Sequence, residues 1–168
     1  WQVKNTMQTA IIDGEQALTY RELEERVQER AKILAGIPQK VILAPMSNDL
    51  DQLINFLALI RAEKVAVPVN AGYSDQGLRD ILNQFEAPLV LTDIHTISEK
   101  AAVPLDSAEY ASPSDLAFIG FTSGTTGQPK GYRRTHQSWV KSFEGTNALI
   151  RQSSSQSATV FGSMHYSL

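Results

Sequence analysis

Leu116-Ala117-Phe118-Ile119-Gly120-Phe121-Thr122-Ser123-Gly124-Thr125-Thr126-Gly127-Gln128-Pro129-Lys130-Gly131 is the stretch on which the reading of this chain turns. Its first six residues are an apolar run with strand character. A loop rich in glycine and hydroxyls follows and ends at a lysine. An apolar strand running into such a loop is how α/β proteins build an anion site. Glycines at 124, 127 and 131 permit backbone angles that a Cβ would block, so main-chain N–H groups can converge on phosphate oxygens. Ser123, Thr125 and Thr126 add hydroxyl donors, and Lys130 adds a mobile positive charge. The competing reading is a flexible surface loop of Gly, Ser and Thr.

Two familiar phosphate loops do not fit. A Walker loop requires glycine at the sixth position from its first glycine, then Lys and Ser or Thr. Counted from Gly124, the sixth position is Pro129, and Lys130 is followed by Gly131. Proline there removes a donor and prevents a helix from starting directly off the loop. The dinucleotide pattern G-x-G-x-x-G is absent as well.

The surrounding sequence says what kind of protein carries the loop. At 168 residues the chain has the size of one domain and can bury roughly 70% of its unfolded surface. With 42% apolar and 20% charged residues it reads as soluble and globular, and the lack of cysteine fits an expected cytoplasmic setting. A net charge of −3 gives no reason to expect nucleic acid or an anionic membrane. The absence of cysteine excludes disulfides and thiolate metal ligands. No apolar run approaches the roughly 18–20 residues of a membrane span, and no signal peptide is visible. The chain begins without methionine and stops at Leu168 after an apolar run, so a piece of a longer chain is expected.

In chain order, two short apolar runs flank Asp13-Gly14, an Asp-Gly hairpin signal. Thr19 and Glu22 form a capping box for a helix starting at Tyr20, with an apolar stripe of Leu23, Val27, Ala31 and Leu34 and a charged face pairing Glu22 with Arg26. Gly36 and Pro38 end it. Residues 41–44 read as a strand buried on both faces. Asn48 or Asp49 caps a largely buried helix carrying Leu50, Leu53, Ile54, Leu57, Ala58 and Ile60. Residues 65–69 are the next strand. Ser74 caps a helix with Leu78, Ile81, Leu82 and Phe85 inward, Pro88 stops it, and residues 89–92 form another strand. Residues 98–114 read as a surface connection. A helix is expected over 138–150, with Trp139, Phe143, and Leu149 or Ile150 facing inward, then a serine-rich link and a last strand over 158–161. Strands alternating with helices at this spacing imply right-handed βαβ units: an α/β fold whose mostly parallel sheet has helices on both faces.

The string T-S-G-T-T-G-x-P-K-G, ten contiguous positions with nine specified, resembles the phosphate loop of the adenylate-forming enzymes, the superfamily of acyl-CoA synthetases, luciferases and peptide-synthetase adenylation domains. Leu18-Thr19-Tyr20-Arg21-Glu22-Leu23 resembles that family's L-[TS]-Y-x-E-L signature, and residues 62–70 resemble its A-G-x-x-Y-V-P-L-[DN] segment. Glu63 there replaces a helix-ending glycine and Ala66 a tyrosine. A glutamate in the left-handed cap conformation costs on the order of 1 kcal/mol, so a different cap is expected. The resemblance implies that residues 1–168 are the N-terminal subdomain of an AMP-binding domain. It implies that a carboxylate attacks the α-phosphate of Mg-ATP and that a thiol such as CoA takes the acyl group. Carried over, Thr122, Ser123, Gly124, Thr125, Thr126 and Gly127 would wrap the departing pyrophosphate, and Lys130 would neutralise it and carry the catalytic charge.

The end of the chain bears on the substrate. Peptide-synthetase adenylation domains have F-D-x-S where this chain has Met164-His165-Tyr166-Ser167. A histidine does not supply the fixed negative charge that pairs with an α-amino group. The expectation is therefore a fatty or other carboxylic acid, with His165 and Tyr166 lining the acyl or ATP side of the pocket, against the plainer reading of a packed or exposed histidine at a strand end. An aryl or siderophore-type adenylating enzyme is the near alternative, and a non-catalytic phosphate-binding or interaction module the distant one. Tyr132-Arg133-Arg134 departs from the apolar residues usual in the family and reads as two solvated arginines, against the sharper reading of extra positive charge near phosphate or CoA. Thr135-His136 fits the family's helix-starting pair, so His136 is structural, and His95 reads as exposed. Three scattered histidines without ligand spacing offer no zinc site. The family's adenine segment, ribose aspartate and C-terminal lysine do not occur in these 168 residues, so the chain alone is expected to be inactive, and self-association through a truncated apolar surface is expected.

Overall fold

The computed structural model describes residues 6–85, 89–91, 112, 114–122, 130–150 and 159, with Leu89, Val90, Thr122 and Ile150 described by backbone alone. The chain opens with an antiparallel hairpin of β1 (Thr9–Asp13) and β2 (Gln16–Thr19), turning at Gly14, whose φ of 58° suits a residue without a Cβ. Thr19 then caps α1 (Tyr20–Ala35). Its hydroxyl accepts from Glu22 N at 3.2 Å while the Glu22 carboxylate accepts from Thr19 N at 2.7 Å, so both halves of the capping box form. The carboxylate accepts from Thr19 N and also from Thr19 Oγ1, at 2.8 Å, and these two bonds hold the Glu22 carboxyl below its ordinary pKa, with Arg26 contributing the least. The expected Glu22–Arg26 pairing is thus secondary to the cap.

The second sheet has the order β5-β3-β4-β6-β7. Strands β3 (Val41–Met46), β4 (Val65–Asn70), β5 (Leu89–Val90) and β6 (Leu116–Thr122) run parallel. Strand β7 (Lys130–Thr135) runs antiparallel to β6 at the edge. Helix α2 (Leu50–Arg61) links β3 to β4, and α3 (Asp75–Leu82) links β4 to β5. Their caps are Asp49, accepting from Gln52 N, and Ser74, accepting from Gly77 N.

Alternation along the strands divides the core between the two faces. Ile42, Ala44, Met46, Ala66 and Phe118 pack with α1 and α2. Leu43, Val65, Val67, Val69, Ile119 and Phe121 pack with α3 residues Leu78, Ile81 and Leu82, and with Phe85. The stripe foreseen on α1 is buried at Val27, Ala31 and Leu34, and α2 leaves only Asp51 exposed, as its apolar circumference requires. Arg30 of α1 ties the two helices through Asp51 and Asn55 at 2.7 Å each.

Three local expectations are corrected. Helix α4 (His136–Ile150) starts two residues before the expected 138, because Thr135 accepts from Ser138 N at 3.1 Å and acts as the cap. Of the residues expected inward on α4, Trp139 packs against the core, whereas Phe143 is exposed beside it, with ring centroids 5.2 Å apart, and Leu149 is 85% exposed; the Ile150 side chain lies outside the described residues. Glu63 keeps the left-handed conformation of the glycine it replaces, with φ 55°. Among the described residues no helix is long and apolar enough to cross a membrane. The connection 98–114 lies largely outside the described residues, and the strand expected over 158–161 lies outside them except for Thr159.

Candidate anion site at the β6–β7 hairpin

Strand β6 is buried from residue 117 to 121, with Ala117, Phe118, Ile119 and Phe121 in the core. It emerges at the carboxyl end of the parallel strands, where open α/β sheets hold their ligands. There the chain turns back: Thr122 stands opposite Lys130 in the antiparallel register, and residues 123–129 form the connection between them. The lysine therefore does not trail at the end of a loose loop. It is the first residue of a strand, exposed, and across the ladder from the last residue of β6.

This placement brings together the two ends of the motif, Thr122 and Lys130. Ser123, Gly124, Thr125, Thr126 and Gly127 lie outside the described residues, as do His165, Tyr166 and His95. Gly131 serves a different purpose from the one expected. It does not adopt a positive φ, and a Cβ on it would approach Phe121 Cε1 to 3.3 Å. It is a packing glycine that lets β7 lie close on β6. Gly120, which sequence reasoning passed over, has the same role on the opposite face: a Cβ there would stand inside the Tyr132 ring.

Strand β7 itself was not foreseen. Lys130-Gly131-Tyr132-Arg133-Arg134-Thr135 shows no apolar alternation, because an edge strand beyond the core has only its partner to satisfy. The available signal was Tyr132 and Thr135, two residues of good strand propensity, after a short polar tip. Of the two arginines read as solvated, Arg133 is exposed, but Arg134 is half-buried and donates to Ser142 Oγ on α4.

At the far end of the ribbon, His136 N donates to Asp115 O at 3.0 Å. Burial lowers the His136 pKa. Asp115 and Glu63 pull it upward, and Lys40 adds to the lowering. The histidine sits at the amino end of the sheet, away from the hairpin mouth, and its structural reading holds. Among the described residues no group of three His, Cys, Asp or Glu side chains is placed to hold a metal ion.

What the described mouth supplies chemically is one lysine, exposed at the carboxyl end of a parallel sheet and across the ladder from Thr122. The intervening tip supplies hydroxyls and glycine backbone by sequence.

The family model described as AMP-binding enzyme matches residues 1–166. Tyrocidine synthase 3 of Brevibacillus parabrevis is 31% identical over 159 residues, 82% of this chain and 2% of that protein. Tyrocidine synthase 2 of the same organism is 32% identical over 147 residues, 77% of this chain and 4% of that protein. The chain thus spans a small part of the curated relatives it matches. Among solved structures, o-succinylbenzoate CoA synthetase from Bacillus subtilis superposes with a TM-score of 0.80 at 20% identity, covering 95% of this chain and 47% of that one. The N-terminal subdomain of Klebsiella oxytoca NpsA superposes at 0.62 with 26% identity, covering 77% of this chain and 38% of that one.

Proposed function

The chain belongs to the AMP-binding enzyme family, and from that premise we propose that it is the phosphate-binding part of an ATP-dependent ligase that activates a carboxylic acid as its acyl-adenylate. The observation that carries the reading is the register that sets Lys130 across from Thr122 at the carboxyl end of β6. In the reaction, a carboxylate oxygen attacks the α-phosphorus of ATP. The bond from that phosphorus to the bridging oxygen breaks, and pyrophosphate leaves with the electron pair. Negative charge builds on the departing group, and donors aimed there lower the barrier. Lys130 supplies the positive charge, and the hydroxyls and amides of 122–127 supply donors. A thiol sulfur then attacks the acyl carbon, and AMP leaves. Magnesium is expected with the ATP, and CoA or another thiol as acceptor.

For the acid, His165 in place of an aspartate supports an acyl or aryl carboxylate over an α-amino acid. The superposition on a CoA synthetase fits that choice but speaks for the fold alone, and an aryl-type adenylating enzyme is as well supported as a fatty acyl-CoA synthetase. A second reading has its own observation: a polyketide synthase-nonribosomal peptide synthetase hybrid of Aspergillus japonicus is 28% identical over 162 residues, which favours an amino-acid-activating enzyme. ATP–pyrophosphate exchange by the native full-length protein, against fatty, aryl and amino acids, separates them. Exchange with acyl or aryl acids that is lost in Lys130→Ala is the expected result. Exchange with amino acids alone would transfer the reading to the second class. Exchange undiminished in Lys130→Ala would remove the proposed role of the hairpin. The isolated chain is expected to be silent in the same assay.

A further inference from the structure

On the face of β7 that carries Lys130, the next side chain is Tyr132. Its Cα partner across the ladder is Gly120, and its ring occupies the space a side chain at 120 would take. The ring meets Phe118 edge-on, with centroids 6.4 Å apart and planes at 78°. Phe118 is fully buried and meets Phe56 at 5.8 Å and Trp139 at 5.6 Å, both edge-on. Tyr132, 36% exposed, is therefore the outer end of an aromatic chain rooted in the core. One step further along the same face is the lysine at the hairpin mouth.

We propose that Tyr132 is a positioning residue for Lys130. This rests on the reading of Lys130 as the group that neutralises the departing pyrophosphate. Among the described residues strand β7 is an edge strand, paired on one side only, and Lys130 is at its end, where ladders fray. The Tyr132 ring, seated in the notch left by Gly120, holds the edge strand to β6 one step below the mouth. It also gives the methylene stem of Lys130 an apolar wall on the same face. Both effects restrict a side chain that otherwise carries large rotamer freedom, and so restrict where its charge is delivered. Gly120 and Tyr132 thus act as a couple, the glycine mattering because the ring is there.

The test uses the native full-length protein, ATP and inorganic pyrophosphate, and the most active carboxylate of the panel. The variants are Tyr132→Val, Tyr132→Phe, Gly120→Ala, the double Gly120→Ala/Tyr132→Val, and Lys130→Ala. Tyr132→Val should lower kcat/KM for ATP by about tenfold and leave KM for the carboxylate unchanged, whereas Tyr132→Phe should stay within about twofold of the parent. Gly120→Ala should match Tyr132→Val alone and add little in the double variant. Thermal unfolding is followed in parallel, and Tyr132→Leu substitutes if the valine variant does not fold. An undiminished effect of Gly120→Ala in the double variant would overturn the coupling. Intact ATP parameters in Tyr132→Val, with exchange abolished in Lys130→Ala, would overturn the positioning role and spare the phosphate reading. Exchange intact in Lys130→Ala would overturn both.

Discussion

The backbone N–H of Lys64 reaches back to the carbonyl of Leu59 at 2.9 Å, closing the end of α2 around Glu63, which holds φ at 55°. Glu63 N meets Ile60 O at 3.2 Å, completing a Schellman cap in which glycine is the usual occupant. The ammonium of Lys40 donates to the Glu63 carbonyl, and the buried Lys64 ammonium to Ile37 O, so the turn is tied to the segment that leads into β3. The cap survives the substitution because its hydrogen bonds use backbone only.

Glu63→Gly should therefore stabilise the fold. Relief of the left-handed strain is worth roughly 1–2 kcal/mol, and the added freedom of glycine in the unfolded chain takes back about 0.5–1 kcal/mol. A net gain on the order of 0.5–1 kcal/mol is expected in urea unfolding. Glu63→Ala, which keeps a Cβ, should gain nothing, and an equal gain in both would show that the strain is not at the backbone.

Thr19→Ala removes one half of the α1 capping box, orphaning the Glu22 amide. A loss of about 1 kcal/mol is expected by chemical denaturation. Thr19→Ser should recover most of it, since the hydroxyl is what the cap uses.

Phe56 meets both Phe118 and Trp139, at 5.8 and 5.7 Å, and is fully buried between α2 and the sheet. Phe56→Ala should cost about 3–5 kcal/mol and shift the Trp139 emission, because the indole loses an edge-on neighbour. Phe56→Leu should cost less than half as much.

Below about pH 6.5, the ordinary value for histidine, the unfolded chain takes up a proton that folded His136 resists, because burial lowers its pKa. The contribution of His136 is complete above that value and is lost as pH falls toward the lowered folded pKa. Unfolding free energies at about pH 7 and about pH 5.5 should differ more in the parent than in His136→Gln. Equal differences would place the pH sensitivity elsewhere.

The βαβ order, the capping residues Thr19 and Ser74, and the buried stripe of α1 were legible in the sequence, and the cap of α2 was narrowed to Asn48 or Asp49, of which the structure uses Asp49. Each depends on contacts a few residues apart or on a simple period. The Asp13-Gly14 hairpin was legible for the same reason. What escaped was Lys130–Thr135 as an antiparallel edge strand, and with it the purpose of Gly120 and Gly131. A short polar strand has no periodic signature, and a glycine that makes room for a ring is indistinguishable, in a linear string, from one that frees a loop.

By itself the sequence determined the family, through a run of hydroxyls, glycines and one lysine whose order matters to phosphate chemistry, and it determined the sheet type, through buried strands at helical intervals. Only the tertiary structure decided where the lysine stands. Its position across from Thr122 comes from the pairing of β7 with β6, and that pairing is held by Tyr132 over Gly120, Phe121 against Gly131, and Arg134 on Ser142. Those contacts join residues that local propensity treats as independent, so they exist only once the sheet has formed.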